Sequence, residues 1–364
     1  MRIAQIAPLY ESVPPQLYGG TERVVSYLTE ELVRLGHQVT LFASGDSVTS
    51  ARLETGCSQA LRLARACVDP LAHHTVMLDK VLTMADQFDI LHFHTDYSHF
   101  PATRALRLPT VTTLHGRLDM PDLRPLYQRF DQQPLVSISQ SQREPLGRVN
   151  WVGNVYHGLP RNLYRAQSGG DYLAFLGRIS PEKRPDRAIA IAVKARMKLK
   201  IAAKVDPVDR VYFENTVKPL LEHPNVEFLG EISEGQKNDF LGKAYAYLFP
   251  IDWPEPFGLA MIEAMACGTP TVAFRCGSIP ELIDDGVTGF IVDSEEEAVD
   301  ALKRVGQLSR ARCRATFERR FTACRMAKDY LNIYDSVVED LPLTRTVHSL
   351  ELSNRRLSSS TVLS

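Results

Sequence analysis

The spacing of apolar residues divides the first half of the chain into alternating strands and helices. Between residues 22 and 35 apolar side chains recur every three or four positions, which predicts a helix with one apolar face. A second helical pattern covers 71–87. Between and around these helices lie short apolar runs, each with the length of a buried strand. Strands separated by helices form a parallel sheet covered on both faces. The predicted strands are 2–8, 38–43, 90–94, 110–114 and 135–139.

A second alternating series follows the polar, glycine-containing segment 167–171, which has the composition of a linker. Helical patterns then cover 295–305 and, as one long helix, 311–337. We therefore predict an α/β protein with one Rossmann-like domain over 1–165, a second over 166–320, and a closing helix over 321–340. The tail 341–364 has little apolar periodicity and is predicted to be disordered. The elements predicted in the second domain are strands 172–176, 200–203 and 226–229, and helices 187–196, 210–221 and 234–244.

The composition is that of a soluble globular protein and gives no indication of nucleic-acid binding. Of the 364 residues 44% are hydrophobic and 23% charged, as in soluble globular proteins, and a formal net charge of −1 does not favour nucleic acid as a partner. No apolar run approaches the length of a membrane span. Arg62 and Arg65 leave contact with a membrane surface open, although a solvated helix face is the simpler interpretation. Six cysteines without a Cys-x-x-Cys pair favour reduced thiols and a cytoplasmic location.

Candidate chemistry is concentrated in residues 249–281, FPIDWPEPFGLAMIEAMACGTPTVAFRCGSIPE. A strand end is followed by a turn with two prolines, which exclude helix, and then by a predicted helix over 259–266 that Gly268 terminates. The free N–H groups at the start of such a helix attract phosphate. Glu255 in the turn and Glu263 in the helix flank this anion site. Taken alone, these would be an ordinary loop carboxylate and a helix-surface glutamate.

Three further segments carry candidate binding residues. In Leu-Tyr-Gly-Gly-Thr, after the first strand, Gly19 and Gly20 let the backbone approach a ligand, although a plain turn is the alternative and no Gly-x-Gly-x-x-Gly fingerprint is present. Arg178 and Lys183, in Gly-Arg-Ile-Ser-Pro-Glu-Lys after a predicted strand, are cations suited to a diphosphate or are solvated loop charges. His115 ends another strand, where a lone histidine is usually structural.

The histidines His92 and His94 lie on the same side of a predicted strand, as metal ligands often do. No third ligand follows at a suitable spacing. The sequence therefore predicts no metal site.

Together these motifs resemble glycosyltransferase family 4, whose members are retaining enzymes of the GT-B fold. The resemblance lies in Glu255-x7-Glu263 within Pro-Glu-Pro-Phe-Gly-Leu, in the following Ala-Cys-Gly-Thr-Pro and Gly-Ser-Ile-Pro-Glu, and in Gly-Arg-x-x-x-x-Lys. It covers about residues 2–337. It implies two Rossmann-like domains facing a central cleft, with the last helix crossing back to the first domain.

The resemblance implies transfer of a hexose from a nucleoside diphosphate sugar, of the UDP-glucose or GDP-mannose type, to the hydroxyl of an unknown acceptor, without a metal ion or cofactor. In such enzymes the leaving phosphate is thought to take the acceptor proton on the front face. Two alternatives stay open. One is a nucleotide-sugar epimerase of the same fold, and the other is a non-catalytic nucleotide-sugar-binding protein.

The resemblance also assigns roles. Glu263 would hold the ribose hydroxyls, Glu255 the sugar hydroxyls, and His115 would contact the transferred sugar. The leaving diphosphate would meet Arg178, Lys183 and the glycine loop, together with the N–H groups of Phe257, Gly258 and Leu259. Lys204 and Glu231 would line the nucleotide side. Many family members have Ala-Gly-x-Gly where this chain has Ala202-Ala203-Lys204, so we expect Lys204 to replace a backbone contact to phosphate.

Overall fold

The computed structural model describes residues 1–17, 19–64 and 67–339, which form two parallel β-sheets. The first sheet has the strand order β3-β2-β1-β4-β5-β6-β7. Its strands are β1 (Arg2–Ile6), β2 (Gln38–Ser44), β3 (Arg52–Cys57), β4 (Ile90–Phe93), β5 (Thr110–Thr113), β6 (Leu135–Ser137) and β7 (Trp151–Asn154). The helices of this domain are α1 (Gly20–Arg34), α2 (Pro70–Thr83), α3 (Phe100–Leu106) and α4 (Leu123–Arg129).

The second sheet has the order β10-β9-β8-β11-β12-β13. Its strands are β8 (Tyr172–Arg178), β9 (Lys198–Lys204), β10 (Val226–Gly230), β11 (Ala244–Phe249), β12 (Thr271–Phe274) and β13 (Gly289–Val292). The helices are α5 (Pro185–Ala195), α6 (Arg210–Tyr212), α7 (Glu234–Gly242), α8 (Leu259–Ala266), α9 (Ile279–Leu282), α10 (Glu295–Arg304), α11 (Arg310–Arg320) and α12 (Ala323–Glu339). The predicted class, two Rossmann-like domains of α/β type, is confirmed.

The strand order of each sheet reverses once, between β1 and β4 in the first and between β8 and β11 in the second. Open parallel sheets bind ligands at the carboxyl ends of the strands beside such a reversal. Gly19 and Gly20 follow β1, His94 follows β4, Arg178 is the last residue of β8, and Glu255 lies in the turn after β11. The topology therefore brings the sequence motifs of both domains to facing edges.

Helix α12 returns to the first domain, as predicted. Its apolar side joins a core that includes residues of both domains. The approach is close at Gly153 in β7, where an added Cβ would lie 2.3 Å from Cδ1 of Ile333. A side chain at that position would require the Ile333 side chain to move, so the glycine permits this close packing.

Two contacts fix the domains relative to each other. The carboxylate of Glu281, at α9, accepts hydrogen bonds from the backbone N–H groups of Gln140 and Ser141, both at 2.8 Å. Arg23 in α1 forms an ion pair with Glu234 in α7 at 2.7 Å. Both contacts join the first domain to the second. The domains therefore lie close together along the cleft.

The long helix predicted over 311–337 is wrong, because the chain breaks between α11 and α12. The N–H of Leu159 donates to the carbonyl of Phe321, and the N–H of Ala323 donates to the carbonyl of Leu159. These backbone groups pair with a distant segment and are not available to continue the helix. An added Cβ on Gly158 would lie 2.3 Å from the Thr322 carbonyl oxygen, which shows how tightly the segment is inserted.

The helix predicted over 210–221 is also wrong in detail. Short α, π and 3-10 turns follow one another, and Pro219 supplies no N–H donor for a regular helix. Strands β3, β7 and β13 and helices α3, α4 and α9 were not predicted. The single-turn elements cover Ala85–Gln87, Ser141–Arg143, Pro207–Asp209, Phe213–Val217, Lys218–Glu222 and Val305–Gln307.

The segment 60–64, expected to be part of a solvated helix, instead forms turns. The predicted disordered tail, 341–364, lies outside the described residues, as does the last residue of the predicted closing helix. In the part of the chain that the structure describes, none of the helices is both long and apolar enough to cross a membrane. The domain bounds at 165 and 320 stay predictions.

Candidate active site

A cleft of about 770 Å³ lies between the carboxyl edges of the two sheets. All twelve residues that the sequence singled out line this one cleft, although they come from both domains. Their roles stay predictions, but their convergence is a property of the structure. They are Gly19, Gly20, His115, Arg178, Lys183, Lys204, Glu231, Glu255, Phe257, Gly258, Leu259 and Glu263.

The start of α8 faces this cleft because of the turn before it. Gly258 has a φ of 89°, a conformation that L-residues with side chains rarely adopt, and α8 begins at the next residue. Gly268, with a φ of 75°, follows the end of the helix, as predicted. The predicted bounds of α8 are therefore confirmed, and its first N–H groups open on the cleft.

The glycine loop of the first domain lies opposite α8. An added Cβ on Gly20 would lie 3.7 Å from Cδ1 of Leu259, so the starts of α1 and α8 approach each other across the cleft. Gly19 is tighter, because a Cβ there would lie 2.7 Å from Cβ of Pro15. The two helix starts can thus present N–H groups to the same anion.

Lys183 and Glu255 form an ion pair in the cleft wall. Their side chains are 13% and 12% exposed, and the Lys183 ammonium is in direct contact with the Glu255 carboxylate. The same ammonium lies 5.1 Å from the centre of the Trp253 ring and 5.5 Å from that of Phe249. Aromatic faces attract cations, so this lysine is held from two sides. Sequence reasoning gave Trp253 no role.

Arg178, at the end of β8, is surrounded by carboxylates. Its guanidinium lies 2.8 Å from Glu182, 3.7 Å from Asp206 and 3.9 Å from Asp209. Lys204 pairs with Asp206 at 2.9 Å. Burial raises the pKa of Asp209, although the Arg178 charge opposes the rise. Arg178 and Lys183, the two side chains predicted to bind the diphosphate, therefore both form ion pairs with carboxylates in the ligand-free cleft.

Glu263 is 3% exposed and is the last member of a line of alternating charges. Its Oε1 accepts a hydrogen bond from the Lys237 ammonium at 2.9 Å, and Lys237 also lies 3.2 Å from Glu234. The hydroxyl of Tyr164 donates to Glu234, which pairs in turn with Arg23. Burial raises the pKa of Glu234, but the Lys237 and Arg23 charges outweigh it and hold the pKa below its ordinary value.

Sequence reasoning missed Lys237. It lies on α7, and no spacing rule connects α7 with α8. A cation beside a buried carboxylate is expected on energetic grounds, but the sequence does not indicate which one.

His115 is embedded among other histidines. Its Nε2 lies 2.9 Å from Nδ1 of His94, and its ring stacks on that of His157 with centroids 5.3 Å apart. Burial lowers the pKa of His115 to about 3, so the ring is neutral near pH 7. It can therefore take part in chemistry as a hydrogen-bonding group and not as a cation. Its Nδ1 has no partner among the described residues.

The pair His92 and His94 is occupied by hydrogen bonds. His92 lies between Tyr334 and Thr113, at 2.6 and 2.7 Å, and His94 lies between His115 and Gln5. Among the residues described, the side chains of His, Cys, Asp and Glu form no group of three or more suited to a metal ion.

Comparison with known protein families agrees with this architecture. The sequence model of "Glycosyltransferase Family 4" matches residues 18–152, and that of "Glycosyl transferases group 1" matches residues 161–317. Together the two matches cover both domains and most of the chain. The chain belongs to the glycosyltransferases that these two models describe.

Individual relatives and solved structures point the same way. A phosphatidyl-myo-inositol mannosyltransferase of Propionibacterium freudenreichii is 27% identical, over 84% of this chain and 86% of its own length. The structure of AviGT4, a glycosyltransferase involved in avilamycin A biosynthesis, matches with a TM-score of 0.71 at 24% identity, covering 93% of this chain and 98% of that one. Anabaena HepE in complex with UDP-glucose matches at 0.71 with 20% identity, over 92% of this chain and 100% of its own.

Proposed function

We propose that this glycosyltransferase is a retaining, metal-independent enzyme that transfers a hexose from a nucleoside diphosphate sugar to an acceptor hydroxyl. The observation that carries the proposal is that each motif glutamate pairs with a lysine, one glutamate just before α8 and the other within its second turn. Glu255 with Lys183 and Glu263 with Lys237 bracket the N-terminus of α8 in a single cleft. In this arrangement Glu255 suits the hydroxyls of the sugar, the start of α8 suits the diphosphate, and Glu263 suits the ribose.

Glu263 binds the ribose in this proposal. A carboxylate accepts hydrogen bonds from both hydroxyls of a diol, provided that it is ionised. Lys237, at 2.9 Å, balances the charge of this carboxylate, whose residue is 3% exposed. Lys204 and Glu231 also line the cleft and would contact the rest of the nucleotide.

The diphosphate lies between the glycine loop and the start of α8. The N–H groups of 257–259 donate to it, and Arg178 and Lys183 compensate the charge that develops as the bond to the sugar breaks. In the ligand-free cleft these cations pair with Glu182 and Glu255. A bound diphosphate competes with those carboxylates, so the cations are already in place and the ligand only redistributes their contacts.

Glu255 and His115 face the sugar. Because Glu255 is in direct contact with Lys183, it suits binding of sugar hydroxyls better than attack on carbon. The acceptor proton then passes to the leaving phosphate on the same face, which retains the configuration at the anomeric carbon. His115, neutral at pH 7, contributes a hydrogen bond to the sugar.

Two of the similar proteins favour different donors. HepE, named as a complex with UDP-glucose, has the same fold, which favours a UDP-glucose-type donor. The Propionibacterium relative is named as a mannosyltransferase, which favours a mannose donor such as GDP-mannose. We place UDP first and keep the acceptor as an unspecified saccharide, lipid-linked or small-molecule hydroxyl.

A panel of sugar nucleotides tests the proposal in two stages. A true donor at 100 times its dissociation constant should raise the free energy of unfolding by about 2.7 kcal/mol, which thermal unfolding detects. Release of nucleoside diphosphate is then measured with and without a panel of acceptors, and the product's anomeric configuration is read by NMR. A new sugar nucleotide without diphosphate release would identify an epimerase, and binding without either reaction a non-catalytic protein. An inverted product would refute retention.

A further inference from the structure

Arg23 connects the glycine loop of the first domain with a carboxylate of the second. It lies on α1, in the first turn after Gly19 and Gly20, and its side chain is 7% exposed and lines the cleft. Its guanidinium contacts both domains at once. The proposed function uses Gly19, Gly20 and Glu263 but gives no role to Arg23 or to its partner Glu234.

One side of the guanidinium holds the glycine loop. Nη2 of Arg23 donates to the carbonyl oxygen of Leu17 at 2.7 Å and to that of Pro15 at 3.5 Å. Among the described residues, no backbone N–H outside the helices and strands donates to either carbonyl. Gly19 packs on the same turn, because an added Cβ there would lie 2.7 Å from Cβ of Pro15. The position of the loop backbone therefore depends on the Arg23 side chain.

The other side of the guanidinium is held by the second domain. Nη1 of Arg23 lies 2.7 Å from Oε2 of Glu234, the first residue of α7. A cation with so little exposure is stable only when it is paired. Within the described part of the chain, Glu234 is the one carboxylate that forms an ion pair with it. The charge that holds the loop is therefore compensated in full only while the two domains are in contact.

Glu234 is fixed in turn by two neighbours. The Tyr164 hydroxyl donates to its Oε1, and the Lys237 ammonium lies 3.2 Å from its Oε2. Lys237 also lies 2.9 Å from Oε1 of Glu263, the carboxylate proposed to bind the ribose. Four side chains of alternating charge thus connect the loop backbone with the ribose site. The parts of the donor site that come from different domains are held at one separation.

We propose that Arg23, oriented by Glu234, is a positioning residue that sets the glycine loop at the distance from α8 that a diphosphate requires. The loop approaches α8 at Gly20, where an added Cβ would lie 3.7 Å from Cδ1 of Leu259. Two helix starts can donate to one anion only at a fixed separation, because each hydrogen bond spans about 2.9 Å. The inference rests on the proposed function for the identity of the anion.

Direct binding of phosphate by Arg23 is the competing explanation, because the side chain lines the cleft. The two explanations differ in what they require of Glu234. A direct ligand gains nothing from Glu234, since that carboxylate competes with phosphate for the same cation. A positioning residue, in contrast, loses its orientation when Glu234 is replaced.

Two substitutions and their combination test the pair. Arg23→Met removes the donors to the loop and leaves Glu234 paired with Lys237. Glu234→Gln keeps an oxygen for the Tyr164 hydroxyl and turns an uncharged amide toward Arg23. Arg23→Lys is a further variant, which keeps the charge but loses the planar group that contacts the loop and Glu234 together.

Arg310→Met is the matched control. Arg310 is also partly buried and also donates to backbone carbonyls, those of Gln167 and Ala244. It does not line the cleft. Its replacement should lower stability without changing the affinity for a ligand.

The ligands are a nucleoside diphosphate and the matching nucleoside, UDP with uridine or GDP with guanosine, whichever diphosphate stabilises the wild type. Calorimetry measures binding of the diphosphate, and an NMR titration measures binding of the nucleoside, in variants with a native circular dichroism spectrum. Arg23→Met and Glu234→Gln should each weaken diphosphate binding about tenfold, as for the loss of one hydrogen bond to a charged group. The double variant should also lose about tenfold, because both changes disturb one arrangement. Nucleoside binding should be unchanged.

Four results would overturn the inference. A loss in Arg23→Met without one in Glu234→Gln would make Arg23 a direct phosphate ligand, and a loss of about 100-fold in the double variant would show that the two residues act independently. Equal losses for nucleoside and diphosphate would place the effect at the ribose, through Lys237. An equal loss in Arg310→Met would show a general effect of lowered stability.

The test does not depend on one variant or on turnover. Should Arg23→Met fail to fold, Arg23→Lys is compared with Glu234→Gln in its place. A wild type that binds the diphosphate but transfers no sugar would refute the proposed function alone, since every result above is a binding measurement.

Discussion

Replacing Glu263 by alanine tests the assignment of the ribose site. In the native cleft the carboxylate is 3% exposed and accepts a hydrogen bond from Lys237 at 2.9 Å. Glu263→Ala removes the acceptor but does not leave Lys237 unpaired, since Glu234 lies 3.2 Å from the same ammonium. The fold should therefore survive, and a loss of binding can be ascribed to the ligand contact.

The expected magnitude follows from the bonds that are lost. Hydrogen bonds to a charged group contribute about 1.5–3 kcal/mol. Because tenfold in affinity corresponds to about 1.4 kcal/mol, donor binding should weaken about 10- to 150-fold. One oxygen of Glu263 is already engaged by Lys237, so we expect the lower half of this range.

Calorimetry with two ligands separates ribose binding from sugar binding. Loss of a residue that binds the ribose should weaken binding of the nucleoside diphosphate and of the sugar nucleotide equally, because both ligands contain the ribose. Glu255→Ala is the matched control. Loss of a residue that binds the sugar should weaken binding of the sugar nucleotide and leave binding of the nucleoside diphosphate unchanged. Both variants must first give a native circular dichroism spectrum.

Two results would refute the ribose assignment. One is an unchanged dissociation constant for both ligands in folded Glu263→Ala. The other is a loss confined to the sugar nucleotide, which would place Glu263 at the sugar instead.

The remaining predictions concern charge. Arg178→Ala and Lys183→Ala should each lower kcat about 100-fold and donor affinity much less, because charge grows on the diphosphate in the transition state; equal losses in rate and affinity would show that these residues only bind. Lys237→Met should lower the free energy of unfolding by about 3–5 kcal/mol by leaving Glu263 buried and unpaired, and an unchanged unfolding midpoint in urea would contradict this. Turnover should survive EDTA, and a loss that Mn²⁺ or Mg²⁺ restores would reveal a metal. The free energy of unfolding should be at its full value above about pH 6.5, the ordinary pKa of histidine, because the buried histidines are neutral in the folded protein. Below that pH it should fall by up to about 1.4 kcal/mol per pH unit for each such histidine, since the unfolded chain binds the proton and the folded one does not. An unfolding free energy that stays constant from pH 7 to 4 would refute this prediction. Burial lowers the pKa values of these histidines: His92, His94, His99, His115 and His157.

The sequence predicted elements well where local chemistry determines them. Helix α8 has the predicted bounds, because Pro254 and Pro256 exclude helix before it and Gly268 ends it. The break between α11 and α12 could not be predicted, since its cause is the backbone of Leu159, about 160 residues earlier in the chain. Local patterns carry no information about such an insertion.

The same distinction applies to the cleft. Its twelve predicted residues converge because each lies at or after the carboxyl end of a strand, and the carboxyl edges of the two sheets face each other across the cleft. Two of their charged partners were missed. Lys237 reaches Glu263 from a neighbouring helix, and Asp209 reaches Arg178 from the single turn 207–209, so both contacts depend on how whole elements pack.

The length of the motif in residues 249–281 has a structural reason. Its first part forms the cleft wall, and its second part holds that wall in place: the Ser278 hydroxyl donates to the Phe257 carbonyl at 2.7 Å, and a Cβ on Gly277 would lie 2.4 Å from the Glu255 nitrogen. Glu281 then binds the backbone of the other domain through Gln140 and its neighbour. The second part of the motif therefore holds the cleft wall in place and ties it to the other domain, which gives these residues a structural role in the site.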